Sequence, residues 1–70
     1  MKTALKITRF TAIDSDGGKH IWQFHRSVLA DRWMLQDPSG YVRTLERTWI
    51  DSVPRIRAIL DNHGMRADIS

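Results

Sequence analysis

Apolar and polar side chains alternate through residues 19–28, and this alternation predicts a β-strand. Trp22, Phe24 and Val28 fall on one face of an extended chain, because successive strand residues point to opposite sides. The other face carries the polar side chains of Gln23, His25 and Ser27. We therefore expect a strand with one face packed on a core and one face in water.

The preceding segment, residues 2–13, is rich in Thr, Ile and Phe, which are typical of strands. Its alternation is imperfect, since Ile7 and Phe10 fall on opposite faces. A bulge near Thr8–Arg9 would bring both onto one face. The run Asp14–Gly18 then predicts a turn, because glycine adopts positive φ and Asp side chains accept hydrogen bonds from turn amides.

A third and a fourth strand are expected at residues 32–37 and 41–46, on either side of a tight turn. The turn Asp37–Gly40 has Asp, Pro, Ser and Gly at the four positions that favour them in a type I β-turn. On strand three, Trp33 and Leu35 share the core side. The register of strand four is open. Its residues on the polar face are either Val42 and Thr44 or Tyr41 and Arg43.

The residues after the fourth strand have the spacing of a helix. Ser52 can act as N-cap, and Pro54 then sits in the first turn, where its missing N–H does little harm. Apolar side chains recur at three- and four-residue spacing, at Val53, Ile56, Ile59 and Leu60. Gly64 suits the position after the last turn. These signals predict a helix at residues 53–63 and a frayed tail at residues 66–70.

An alternative helix start lies near Thr44, because Leu45 and Trp49 continue the apolar spacing backwards. Pro54 argues against this start. Inside a helix, its ring would clash with the carbonyl of Ile50 at a cost of about 3 kcal/mol.

Together these elements predict the α+β fold class: a small antiparallel sheet of three to four strands packed on one C-terminal helix, in a single domain over residues 1–70. A chain of 70 residues has a small core. The chain has no Cys, so neither disulfides nor thiolate metal sites support that core.

Basic residues exceed acidic residues by eleven to eight, which gives a net charge of +3. This excess is compatible with an anionic partner. The amino-terminal residues do not form a signal-peptide pattern, and no apolar stretch is long enough to cross a bilayer. We therefore expect a cytoplasmic protein without a membrane partner.

No motif predicts catalysis, a metal site or a cofactor. His20 and His25 lie five residues apart on a strand and therefore on opposite faces. No pair of His has the i, i+4 spacing of a helical zinc site, and no Ser lies in a nucleophile-elbow context. We expect that the chain is not an enzyme.

The polar sheet face is the most informative candidate site. Strands two and three contribute no carboxylate to it, and guanidinium and amide groups suit phosphate oxygens and base edges. We expect Arg26 and Arg47 at its border, and Arg43 on it in one of the two registers. The candidate nucleic-acid-binding residues are Gln23, His25, Arg26, Arg32, Gln36, Arg43 and Arg47.

Residues 32–43, with a strand, the Asp-Pro-Ser-Gly turn and the start of another strand, resemble small DNA-binding domains that pack a three-stranded sheet on one helix. Plant AP2-type domains and integrase amino-terminal domains are examples. Trp33–Leu35, Gly40–Val42 and the helix start at Val53–Pro54 are similar to the bacterial cell division activator CedA. The resemblance spans about residues 20–63 and implies that a sheet face contacts duplex DNA.

The leading hypothesis is a small non-enzymatic nucleic-acid-binding or regulatory protein that places its basic sheet face on double-stranded DNA. Arg32, Arg43 and Arg47 would contact phosphates. The alternative is a protein–protein interaction module, such as an inhibitor or accessory factor encoded by a phage or mobile element. Apolar and aromatic side chains that stay exposed would mark its interface. Either protein would be a monomer or a small homo-oligomer.

Overall fold

A computed structural model of the protein describes residues 7–69, which form a curled antiparallel sheet with one helix against it. The elements in chain order are β1 (Ile7–Asp14), β2 (Lys19–Ser27), β3 (Arg32–Gln36), β4 (Val42–Thr44), α1 (Trp49–Asn62) and β5 (Met65–Arg66). The strand order across the sheet is β4-β3-β2-β1-β5. The predicted α+β class is confirmed, with one strand more than expected. Residues 2–6 of the predicted first strand lie outside the described residues.

β1 pairs with β2 in an unbroken antiparallel register over residues 7–13. The bulge predicted near Thr8–Arg9 is therefore wrong. Phe10 and Ala12 face the helix, whereas Ile7 stays on the opposite face with 52% of its surface exposed. Without a bulge, every residue of this segment keeps its backbone pairing, and Ile7 stays exposed instead. A single exposed isoleucine is common on protein surfaces.

Both predicted hairpin turns are present. The Asp14 carboxylate accepts hydrogen bonds from the backbone N–H groups of Asp16 (2.9 Å) and Gly18 (2.7 Å). In the second turn, the Gly40 N–H donates to the Asp37 carbonyl at 3.0 Å. Side chain and backbone therefore satisfy the amides of these turns as their sequences predict.

Several strand ends differ from the prediction by one or two residues, and two of these differences affect the core. β2 ends at Ser27, so Val28 lies in the following turn and is 66% exposed rather than in the core. β4 ends at Thr44, where Trp33 accepts from the Leu45 N–H and donates to the Glu46 carbonyl, both at 2.8 Å. Leu45 and Glu46 thus both lie opposite the single residue Trp33. This mismatch stops the regular pairing and turns the chain, and Leu45 becomes completely buried.

α1 begins at Trp49, four residues before the predicted start. Thr48 is the N-cap, and its side chain accepts a hydrogen bond from the Asp51 N–H at 3.1 Å. Ser52, the predicted N-cap, is fully buried. Its hydroxyl donates to the Thr48 carbonyl (2.7 Å) and accepts from the Glu46 N–H (3.1 Å). The hydroxyl that suggested a cap instead joins the first turn of the helix to the preceding loop.

Pro54 lies inside α1 without ending it. Its missing N–H affects only the carbonyl of Ile50, and that residue is 81% exposed. The early start brings Trp49 against Phe24 and Trp33, with ring centroids 4.6 and 4.9 Å apart. Aromatic packing of this kind offsets the cost of the proline.

The segment after α1 returns to the sheet. Gly64 has φ +68 and ends the helix as predicted. β5 then pairs with Ile13–Asp14 of β1, and Ile69 is only 5% exposed. The carbonyl of Ile69 accepts a hydrogen bond from Arg57 at 3.0 Å. The predicted frayed tail is wrong as far as residue 69, because this segment contributes an apolar side chain to the core.

The core lies between α1 and one face of the sheet, which we call the inner face. Trp22 is fully buried at its centre, and its indole N–H donates to the Met65 sulfur at 3.4 Å. The buried apolar residues are Ala12, Trp22, Leu35, Leu45, Ile56, Leu60 and Ile69. Burying such side chains contributes about 1.5–3 kcal/mol each for the larger ones. The opposite side of the sheet is left for other contacts.

Candidate nucleic-acid interface

The open face is the side of the sheet turned away from α1. The strand registers assign its residues, because partners across a ladder and alternate residues along a strand share a face. They are Ile7, Arg9, Thr11 and Ile13 of β1, Lys19, Ile21, Gln23, His25 and Ser27 of β2, Arg32, Met34 and Gln36 of β3, Val42 and Thr44 of β4, and Arg66 of β5. None of these described strand residues is Asp or Glu.

The register of β4 decides between the two alternatives left by the sequence. Val42 lies opposite Gln36 and Thr44 lies opposite Met34, so both are on the open face. Arg43 lies opposite Leu35 and is therefore on the inner face. The open face gains no cation from β4.

The predicted site residues lie in three places. Four of them lie together on the open face: Gln23, His25, Arg32 and Gln36. Arg26 and Arg43 lie on the inner face, where Arg26 is opposite Trp33. Arg47 lies in the loop before α1, with 73% of its side chain exposed.

Four of the five arginines away from the open face lie beside carboxylates, and the fifth, Arg57, donates to the Ile69 carbonyl. Arg26 pairs with Asp31 at 2.5 Å and Arg43 with Asp37 at 3.2 Å. Arg47 lies 3.9 Å from Asp31. On the far side of the molecule, Arg55 of α1 pairs with Glu46 at 3.0 Å. The hydrogen bond from Arg26 lowers the pKa of Asp31. Three carboxylates therefore face these four arginines, and Arg26 and Arg47 share Asp31.

The cations of the open face are different. Arg9, Lys19 and Arg66 are exposed and make no ion pair with any residue in the range 7–69. Arg32 donates to the carbonyl of Leu45 at 3.2 Å and makes no ion pair within residues 7–69. The pKa of Asp31 is lowered mainly by the hydrogen bond from Arg26, and the charge of Arg32 adds a smaller contribution. Acidic side chains do lie around Arg66 at one end: Asp68 lines one groove with it, and Asp14 and Asp61 line another. The face therefore has a local positive excess that the net charge of the chain does not reveal.

Three of these four cations were absent from the sequence prediction. Lys19 follows from the alternation of β2 that already gave Gln23 and His25. Arg9 follows from the same rule once β1 has no bulge. Arg66 could not be predicted, because β5 is too short to have a period.

Two side-chain amides are joined across the middle of the open face. Gln23 Nε2 donates to Gln36 Oε1, and Gln36 Nε2 donates to the Gly40 carbonyl at 3.2 Å. A carbonyl oxygen can only accept, so the Gly40 end fixes the orientation of both amides.

The open face is also partly apolar. Ile7, Ile21 and Val42 are 52%, 54% and 42% exposed. None of the six aromatic side chains of the protein lies on it, since five belong to the inner face or α1. The sixth, Tyr41, lies in the β3–β4 turn beneath the guanidinium of Arg43, which is 4.8 Å from its ring centroid.

The other polar groups hold the fold. The His20 ring lies 2.8 Å from the Asp14 carboxylate on the inner side of the first hairpin, and this hydrogen bond lowers the pKa of Asp14. His63 Nδ1 contacts the Ile59 carbonyl at 2.9 Å, and its ring lies edge-on to Trp22. Over residues 7–69, no group of three His, Asp or Glu side chains could hold a metal ion.

Within residues 7–69, the helix α1 is not long and apolar enough to span a membrane. Comparison with known proteins gives no family: no family model, no curated protein and no solved structure matches this chain.

Proposed function

We propose that this chain is a small non-enzymatic protein that binds double-stranded DNA, or regulates a process on it, through the basic open face. The observation that carries the proposal is the uneven balance of charge. Four of the five arginines away from the open face are paired with Asp or Glu, whereas none of the four cations of the open face makes an ion pair among the described residues. Unbalanced cations on one face are the electrostatic feature that phosphate binding requires.

The spacing of these cations suits a charged polymer. Arg32 lies at one end of the open face, Arg9 lies near the middle, and Lys19 and Arg66 flank Ile13 at the other end. At ~3.4 Å per residue, β2 is ~27 Å long. A DNA duplex carries one negative charge per ~1.7 Å of its axis. Cations spread over this length therefore face many phosphates at once.

Duplex rather than single-stranded nucleic acid fits the absence of aromatic side chains from this face. Sheets that bind single strands stack bases on aromatic rings. The open face offers guanidinium, ammonium and amide groups instead, which suit phosphates and groove edges. The resemblance to small sheet-on-helix DNA-binding domains supports the same partner, although fold alone does not determine function.

The proposed contacts differ from those expected from the sequence. We assign phosphate contacts to Arg9, Lys19, Arg32 and Arg66. Gln23, His25 and Gln36 lie nearest the bases. Arg47 is kept as a contact at the border. Arg26 and Arg43 are assigned to stabilising their own turns through Asp31 and Asp37. We also keep the expectation of a cytoplasmic location.

Two matched variants test the proposal. Arg9→Gln and Arg55→Gln each remove one arginine charge, from the open face and from α1 respectively. Fluorescence anisotropy with a labelled DNA duplex at low salt should show the first variant binding several-fold more weakly, because each lost phosphate contact removes a counterion-release contribution. The second should bind like wild type. Equal effects of the two variants, or no duplex binding, would overturn the proposal.

A second candidate is a protein–protein interaction module, favoured by the exposed Ile7, Ile21 and Val42 on the same face. Two copies joined through this face would bring like charges together, so its partner would be a different, acidic protein. Light scattering over a dilution series should show a monomer under either proposal. A mass that rises with concentration would contradict the charge argument and favour self-association.

A further inference from the structure

The amide chain on the open face leaves one amide edge unused. Gln36 is occupied at both ends, by Gly40 and by Gln23. Gln23 donates one of its two N–H groups to Gln36. Its Oε1 and its second N–H have no hydrogen-bond partner among residues 7–69. An acceptor and a donor on the same planar group therefore remain available to a ligand.

Gln23 also has a central position. β2 is the middle strand of the five, and Gln23 is the middle residue of β2. Gln36 lies directly opposite on β3, and Arg9 lies opposite on β1. The B-DNA major groove is about 12 Å wide and admits a two-stranded ribbon. With strands ~4.8 Å apart, the pair β2 and β3 is narrower than that groove, so their side chains would reach into it while the strands on either side would face the sugar-phosphate backbone.

We propose that Gln23 is the specificity-determining residue of this interface and reads adenine in the major groove, with Gln36 as its positioning residue. This inference rests on the proposed DNA binding. A Gln amide matches adenine in a bidentate manner: Oε1 accepts from the N6 amino group and the N–H donates to N7. The hydrogen bonds to Gln36 and Gly40 orient the amide before binding, so less side-chain entropy is lost in the complex.

The central test compares duplexes that differ only in the adenine edge. Affinity is measured for alternating dA·dT, alternating dG·dC, and alternating dA·dT in which adenine is replaced by 7-deazaadenine, which lacks the N7 acceptor. Wild type should bind dA·dT about 5- to 150-fold more tightly than dG·dC, the range for one bidentate base contact. The 7-deaza substitution should remove most of this preference with little change in groove shape.

Three variants separate base recognition from general binding. Gln23→Ala should bind both duplexes with similar affinity. Gln36→Ala should also lose the preference, because it frees the Gln23 amide, and should keep the wild-type dependence of affinity on salt. Thr44→Ala removes another polar group of the open face outside the amide chain and should keep the preference. Circular dichroism confirms that each variant is folded.

The outcomes are distinguishable. Duplex binding without an adenine preference, or a preference that persists in Gln23→Ala, overturns the role of Gln23 and leaves the DNA-binding proposal standing. A preference that is insensitive to 7-deazaadenine assigns recognition to duplex shape and also overturns it. Failure of wild type to bind any duplex overturns both proposals together.

Discussion

At the scale of the residue, Asp37 shows how one side chain can hold a turn. Its carboxylate accepts four hydrogen bonds. They come from the Ser39 hydroxyl (2.6 Å) and N–H (2.9 Å), the Tyr41 N–H (3.0 Å) and the Arg43 guanidinium (3.2 Å). The Ser39 hydroxyl, followed by the Tyr41 N–H and Arg43, lowers the pKa of Asp37 to about 2. The turn is therefore built around an ionised carboxylate.

Stability should accordingly depend on pH in the acid range. The pKa of Asp37 is about 2 in the folded protein, against 3.8 as the reference for the unfolded chain. A depressed pKa stabilises the fold fully above the unfolded value, and this contribution is lost as pH falls through the folded value. We expect the free energy of unfolding, measured in urea, to decrease between about pH 4 and pH 2. The pKa values of Asp14 and Asp31 are also lowered in the folded protein, so these carboxylates add to the loss of stability in acid.

Asp37→Asn provides the control for this prediction. Asn keeps an oxygen acceptor for the turn amides but cannot titrate. The variant should show a smaller decrease in unfolding free energy over the same pH interval. An identical decrease in wild type and variant would assign the acid sensitivity to other carboxylates.

Gln23, His25, Arg32 and Gln36 illustrate what the sequence can predict about the candidate site. The two-residue period of β2 and β3 is enough to place them on one face. Arg43 could not be placed, because the register of a strand after a turn depends on turn geometry rather than on its own pattern. Whether any of these residues contacts DNA stays a prediction.

At the scale of the element, local signals located β2 and β3 but misplaced the start of α1. The rule that proline begins helices favoured Ser52 as the cap, whereas packing decided the outcome. Trp49 joins an aromatic cluster with Phe24 and Trp33 only if the helix begins a turn earlier. A short stretch of sequence does not reveal tertiary contacts of this kind, and they outweigh the local helix propensity.

The cap of α1 can be tested directly. Thr48→Ala should lower the free energy of unfolding by about 1 kcal/mol, because the Asp51 N–H loses its acceptor. Thr48→Ser keeps the hydroxyl and should be close to wild type. Both values come from urea or thermal unfolding followed by circular dichroism. No loss in Thr48→Ala would indicate that the helix begins later, as the sequence alone suggested.

The C-terminal segment gives a second test. Ile69 is buried, so Ile69→Ala should lower the free energy of unfolding by about 2 kcal/mol or more. Asp68→Ala, an exposed neighbour, should have little effect. If both variants matched wild type in urea unfolding, the segment after β5 would not belong to the core. The sequence missed this segment because two strand residues carry no periodic signal.

At the scale of the whole molecule, net charge is a poor guide to where an anion would bind. The excess of +3 is modest. Paired arginines lie on the inner face, in a loop and on α1, and the open face holds cations without carboxylates among its described residues. Topology produces this asymmetry, since β1, β2, β3 and β5 contribute one cation each from four separate parts of the sequence. Composition cannot reveal such a convergence.

The most direct test of the account is the salt dependence of duplex binding. Each neutralised phosphate contributes about −0.9 to the slope of log affinity against log salt, so four cations predict a slope of about −3 to −4 for wild type. The triple variant Arg9→Gln, Lys19→Gln, Arg66→Gln should have a slope near about −1. The double variant Arg55→Gln, Arg57→Gln on α1 should keep the wild-type slope. A wild-type affinity that does not fall with salt, or a triple variant that keeps the full slope, would contradict the open face as the site of DNA binding.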